Sequence, residues 1–264
     1  MKLLTIGNRK TLKGEGAGYM TGVLHLAPFN LSGVNVCPMA EIAGCVNACL
    51  NTAGQGGIAR GGMVSYETLI NGTRTNMVQR ARARRTHWFL TDRKTFMQEL
   101  VRDIHELAFK AKRAGLIPCV RLNGTSDIRW EDIAVPEVSF LARNVRTTYS
   151  ARVNIFAVFH WVPFYDYTKI PNRRRALDVP NYSLTFSYSH RPEFAAIVAK
   201  ARDNYGSRVN FAAVFARGLP ETFDGRRVVS GDDTDLRFLD PADVVVGLTA
   251  KGRAKKDVSG FVVP

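Results

Sequence analysis

Short runs rich in β-branched and aromatic residues recur along the chain, each closed by polar or glycine-containing text. They predict strands at 22–28 (GVLHLAP), 118–124 (PCVRLNG), 164–169 (FYDYTK), 182–188 (YSLTFSY), 209–215 (VNFAAVF) and 244–250 (VVVGLTA). Two weaker runs, 153–159 (VNIFAVF) and 226–231 (RRVVSG), are further strand candidates. The period changes between the first two strands. Over 92–114, Phe96, Leu100, Ile104 and Leu107 recur at three and four residues, Asp92 stands near the start and Gly115 follows the last turn, which predicts a long amphipathic helix. A second helix is expected over 192–206, with Pro192 in its first turn and Gly206 at its end. The order strand, long helix, strand, helix, strand favours an α/β fold with a mostly parallel sheet and crossover helices. The expected architecture is a complete or partial (β/α) barrel in a single domain over 1–264, with 1–20 as an N-terminal extension. A doubly wound open sheet is the competing arrangement, and both gather ligands at the carboxyl ends of the strands.

Composition narrows the setting. The 264 residues are 45% hydrophobic, enough to bury a full core. The first residues lack the apolar stretch of a secretory signal, and no run approaches the roughly 20 apolar residues of a membrane helix, so a soluble cytoplasmic protein is expected. Cysteines in that compartment serve as metal ligands or catalysts more than as disulfides. The formal charge of +14 favours polyanionic partners. Its densest stretch holds Arg80, Arg82, Arg84 and Arg85 before His87 and Trp88, a candidate nucleic-acid face set against the more common solvated helix face, or arginines that pair with a carboxylate-bearing ligand inside the fold.

Three of the four cysteines, Cys37, Cys45 and Cys49, fall within CPMAEIAGCVNAC. If AEIAGCVNACL is helical, Cys45 and Cys49 share one face, and Cys37 can fold back from its loop. Three thiolates so placed can bind three irons of a [4Fe-4S] cluster and leave the fourth iron open. Zinc would need a fourth ligand, Cys119 or a histidine. Thiols buried as small hydrophobes are the plainest alternative. A glycine-rich stretch follows, with Gly54, Gly56, Gly57, Gly61 and Gly62, which lets backbone approach a ligand or serves as an ordinary loop.

At the end of the second predicted strand, Asn123, Gly124, Thr125, Ser126 and Asp127 offer amide, hydroxyl and carboxylate groups to a ligand; Ser126 or Asp127 could instead cap the next helix. Asp166, Lys169, Thr185 and Ser187 are further candidates on the same rim, with Lys169 suited to neutralise an anion. The five histidines are scattered, which disfavours a hydrolase, and no residue is singled out as catalytic.

The blocks LAPFNLSGVNVCPMAEIAGCVNACLNTAGQGG, RTHWFLTDRKTFMQEL, RLNGTSDIRWE, FYDYTK and SLTFS, taken together, resemble the gene product 88 family of tailed bacterial viruses, from about residue 20 to the C-terminal GFVV. That resemblance implies a phage protein in the host-cell cytoplasm and no particular chemistry. More loosely, a three-cysteine loop after the first strand of a partial barrel is similar to the radical S-adenosylmethionine enzymes. This second resemblance implies Cys37, Cys45 and Cys49 as cluster ligands, with S-adenosylmethionine on the open iron beside the Asn123–Asp127 segment. The usual C-x3-C-x2-C spacing and Gly-Gly-Glu type segment of that superfamily are absent. Two functions are therefore expected: an iron-sulfur protein of unknown substrate, or a basic nucleic-acid-binding phage protein with a structural zinc.

Overall fold

Two kinds of side chain alternate along the strands, and the alternation gives the sheet two unlike faces. The computed structural model describes residues 1–7, 11–46, 49, 77–142, 145–149 and 153–264. In chain order its strands are β1 (Leu4–Ile6), β2 (Tyr19–Leu24), β3 (Ile117–Arg121), β4 (Val138–Ala142), β5 (Val145–Tyr149), β6 (Phe164–Thr168), β7 (Tyr182–Ser187), β8 (Asn210–Phe215), β9 (Thr222–Phe223), β10 (Arg226–Ser230) and β11 (Val245–Thr249). β4 and β5 form a separate hairpin; the others make one nine-stranded sheet in the order β1-β2-β3-β6-β7-β8-β11-β10-β9. From β2 to β10 neighbouring strands are parallel, and β1 and β9 add antiparallel edges.

The helices are α1 (Leu12–Glu15), α2 (Phe29–Ser32), α3 (Met77–Thr91), α4 (Arg93–Arg113), α5 (Ile155–Val158), α6 (Arg174–Leu177) and α7 (Ala195–Tyr205). The long helix α4 forms for the reasons legible in its sequence. Asp92 caps it by accepting the Thr95 N–H at 3.1 Å, and Gly115 ends it at a φ of +68°. Its stripe of Phe96, Leu100, Ile104 and Leu107 is fully buried, each side chain contributing about 1.5–3 kcal/mol of transfer free energy. Leu107 lies so close to β2 that a Cβ on Gly22 would stand 2.8 Å from it, which is why that strand position is glycine.

Val120, Phe164, Leu184, Phe186, Phe211, Ala213 and Phe215 belong to the same core as these helices. Phe156 of α5 stacks on Tyr182 at 4.2 Å, and Phe194 and Tyr205 flank Phe186. The opposite parity, Cys119 and Tyr165, packs instead on Leu236, with Tyr19 and Phe238 beside them. One face is thus covered by helices, while at its amino-terminal end the other is filled by the chain between β10 and β11. The sheet is open: among the described residues β1 and β9 are edges and do not pair with each other, so the complete barrel is not found.

Three further differences from the sequence reading have physical causes. The run 153–159 is not a strand: Asn154 accepts the Ala157 N–H at 3.0 Å and caps α5, which turns Phe156 and Phe159 into the core. Helix α3 hides behind its arginines, because Arg82 occupies an inward position beside Ala83, Thr86 and Phe89 and breaks the apolar stripe. The β4–β5 hairpin covers the apolar edge of α4, where Phe140 and Tyr149 meet the His105 ring. No helix among the described residues is long and apolar enough to cross a membrane.

Candidate functional site

Parallel strands bring their carboxyl ends to one edge, and the cysteine segment crosses that edge. It follows β2, and three sets of hydrogen bonds hold it there. Asp127 N–H donates to the Val36 carbonyl at 2.7 Å. Ser189 Oγ donates to the Ala43 carbonyl at 2.7 Å and Arg191 Nη1 to the Glu41 carbonyl at 2.8 Å. Ser259 Oγ donates to the Gly44 carbonyl at 3.0 Å. Over residues 38–46 the segment is a series of turns, not the expected helix. Gly44 sits at a φ of +71°, and a Cβ there would lie 2.7 Å from Ser259 Oγ, so the helical path is interrupted one residue before Cys45. The glycine-rich stretch from Gly54 to Gly62 lies outside the described residues.

The thiols face a common environment. Cys37 Sγ lies 3.7 Å from the Thr125 carbonyl and Cys45 Sγ 3.6 Å from the Ala40 carbonyl. Burial pushes the Cys37 thiol well above its ordinary range, and the negative charges of Asp127, Cys49 and Cys45 push it further while Lys169 opposes them. Burial raises Cys45 too, again against Lys169. Arg82 senses Cys49 in the same way. Cys37 is therefore within electrostatic reach of Cys45 and Cys49, with Lys169 near Cys37 and Cys45 and Arg82 near Cys49. Among the described residues, however, no group of three or more His, Cys, Asp or Glu side chains is arranged to hold a single metal ion. Cys119 stands apart, midway along β3, where its sulfur is 3.2 Å from Thr21 Oγ1 and burial pushes its thiol up to about 12. It is not placed to complete a zinc site with the other three.

Lys169 is the cation at the centre. Its Nζ donates to the Ser187 carbonyl at 2.9 Å, to Ser187 Oγ at 3.0 Å and to the Tyr188 carbonyl at 3.3 Å, and it lies 4.7 Å from the Phe261 ring centroid and 5.4 Å from that of Phe194. Desolvation lowers its pKa, partly offset by Cys45, Asp127 and Cys37. This desolvation was not legible in the sequence, because the Phe261 ring arrives from the far end of the chain.

The β3 exit is more structural than the sequence suggested. Past the single register pair Val120–Phe164, β3 and β6 diverge, and the Asp166 carboxylate takes the Asn123 N–H at 2.6 Å in place of a ladder carbonyl. Asn123 Oδ1 accepts from Ser126 Oγ, Ile128 N and Trp130 Nε1 at 2.9–3.0 Å, so Asn123 and Ser126 are committed to the loop. Thr125 Oγ1 donates to the Leu26 carbonyl at 2.5 Å. Gly124 passes so close to β2 that a Cβ would meet the Leu24 carbonyl at 2.7 Å. Neither Ser126 nor Asp127 caps the one-turn helix Trp130–Asp132. Asp127 accepts the Lys169 N–H through Oδ2 at 2.7 Å, while its buried Oδ1 has no hydrogen bond and faces Arg173 Nη1 at 3.6 Å. Thr185 is buried on β7 in register with Tyr167.

Sequence reasoning missed the ion pair behind this rim. Arg173 donates from Nε and Nη2 to the two Glu131 carboxylate oxygens at 2.9 and 2.5 Å, and from Nη2 to Tyr182 Oη at 3.0 Å. Tyr182 in turn donates to Asp166 at 3.0 Å, and burial raises the Asp166 carboxyl to about 7.

The arginine run is not a solvated stripe. Arg82 is buried, Arg85 donates twice to the Lys2 carbonyl, and Arg84 is exposed. Arg82, Arg121 and Arg85 add to the burial that depresses His25 to about 3, so His25 is a neutral ring among cations.

Fold and rim together define an α/β protein whose parallel sheet carries helices on one face and a cysteine-bearing mouth at the carboxyl edge. The family model of gene product 88 matches residues 1–264, and the chain belongs to that bacteriophage family. Neither the curated proteins nor the solved structures compared with it include a match.

Proposed function

We propose that the protein is an iron-sulfur protein whose [4Fe-4S] cluster is held by Cys37, Cys45 and Cys49. The observation that carries this reading is the docking of the segment that bears Cys37 and Cys45 on the carboxyl edge of the sheet, through Asp127, Ser189, Arg191 and Ser259, with the cation Lys169 buried beside it. The donor chemistry fits. Each cysteine of such a cluster binds its own iron, so the sulfurs stand farther apart than ligands sharing one ion. Thiolates on a cluster carry net negative charge, which the two cations offset. A three-cysteine set leaves one iron open, and Asp127, whose Oδ1 is ion-paired with Arg173 but makes no hydrogen bond, is the nearby carboxylate offered to a ligand there.

In its sharpest form the activity is radical chemistry on a sulfonium cofactor of the S-adenosylmethionine type. Support comes from the parallel run β2-β3-β6-β7-β8-β11 with helices on one face, an order that a partial (β/α) barrel would share. Held by Cys37, Cys45 and Cys49 and reduced by an external one-electron donor, a cluster would supply the electron that cleaves a C–S bond of such a sulfonium into a thioether and a carbon radical. The residues of the chain supply position and charge: Asp127 accepts hydrogen bonds from a ligand ammonium, Lys169 compensates anionic sulfur, and the Phe261 and Phe194 rings keep water from its Nζ. The site of action that follows is the host-cell cytoplasm, whose reducing conditions keep thiols free.

Anaerobic reconstitution tests the reading. A brown protein with broad visible absorption, bleached by dithionite, is expected. A colourless protein holding stoichiometric zinc would support the structural-metal alternative instead.

A further inference from the structure

A second concentration of charge is lined by none of the thiols. A cleft of about 490 Å3 opens between the one-turn helix Trp130–Asp132, the chain after β6 and helix α7. Every residue lining it is charged or an asparagine: five are Arg or Lys and two are Asp or Glu. The two carboxylates are already taken. Glu131 is engaged by buried Arg173, and Asp132 pairs with Arg175 at 3.2 Å. That leaves Arg129, Arg174 and Lys200 without a carboxylate partner among the described residues. Arg129 donates to the Asn172 carbonyl at 3.2 Å and to Asn172 Oδ1 at 2.8 Å, and Arg174 donates to Asn204 Oδ1 at 3.0 Å. Neutral amides thus orient two guanidiniums without cancelling their charge. Fixed, uncompensated guanidiniums in a concave site favour phosphate oxygens.

We propose that this cleft binds the phosphates of a nucleic-acid strand. No aromatic or apolar side chain lines it, so it offers no surface on which a base could stack, and recognition runs through the backbone alone. The charge of +14 steers a polyanion toward it. The nucleic-acid face is thereby moved from the Arg80–Arg85 region, where Arg82 and Arg85 are turned into the fold, to the cleft lined by Arg129, Arg174 and Lys200. The inference does not depend on the metal reading.

Fluorescence anisotropy of a labelled oligothymidine across a salt series tests it. Three phosphate contacts to a single strand predict a log–log slope of about −2, or roughly a twentyfold loss of affinity between 50 and 200 mM salt. In R129Q/R174Q/K200Q the slope is expected to flatten toward zero, whereas the charge-preserving R129K/R174K/K200R keeps most of it. R80Q/R84Q is expected to bind like the parent protein. The proposal is overturned if the neutralised variant keeps affinity and slope, if the loss appears in R80Q/R84Q instead, or if the parent protein shows no salt-dependent binding. Inorganic pyrophosphate that binds the parent and not the neutralised variant, with oligothymidine binding neither, would also overturn the strand assignment.

Discussion

The helix-covered face of the sheet and its carboxyl edge are held by different physics. Helices α4, α5 and α7 meet one face through Phe96, Leu100, Phe156 and Tyr205, an apolar core in which each contact is replaceable by another of similar volume. The carboxyl edge is held by particular polar partners: Glu131 by Arg173, Asp166 by Asn123 and Tyr182, Lys169 by Ser187. An apolar face tolerates exchange. A buried polar set has only its own partners to satisfy it, so removing one strands another. The chemistry of the protein is gathered where its packing is least forgiving.

The largest expected break in that contrast is Arg173→Met. It leaves the Glu131 carboxylate buried without its cation and costs about 3–5 kcal/mol in urea unfolding, while the paired change Arg173→Met with Glu131→Leu recovers much of the loss. Next is Ile104→Ala on the apolar side, where a cavity behind β2 costs about 2–4 kcal/mol. No recovery in the paired polar variant would erase the distinction. Gly124→Ala drives a methyl against the Leu24 carbonyl and is expected to cost about 1–3 kcal/mol by thermal melting.

The smallest effect is a pH slope. Burial raises the Asp166 carboxyl to about 7, above its unfolded value near 4. The folded state therefore holds a proton that the unfolded chain has released, and this contribution to stability is full below pH ~4 and lost as pH rises through about 7. Asp166→Asn, which mimics the protonated form, flattens that decline. Urea midpoints at pH 4, 5.5 and 7 read it directly.

The sequence discloses what is local. Helix α4 was legible because its stripe, its Asp92 cap and Gly115 all agree, and the parallel strands because their apolar runs end in polar text. Helix α3 was not legible, since Arg82 sits where an apolar residue would mark the face, and 153–159 reads as a strand until Asn154 is seen to cap a helix. The same rule holds at the rim. Cys37, Cys45 and Cys49 could be grouped because they are near in sequence, and Lys169 and Asp127 could be put on the same edge because each ends or follows a predicted strand. What Asn123 and Ser126 do could not be read, because hydroxyl and amide groups at a strand exit serve a ligand or the loop equally well. The Arg173–Glu131 pair joins positions 42 residues apart, and nothing in either neighbourhood announces the other.

Iron and acid-labile sulfide counts on anaerobically purified protein test the central claim most directly. About four of each per chain are predicted for the parent and for Cys119→Ala, with loss of both when Cys37, Cys45 and Cys49 are together changed to alanine. A parent protein without iron, or a triple variant that keeps it, would contradict the account.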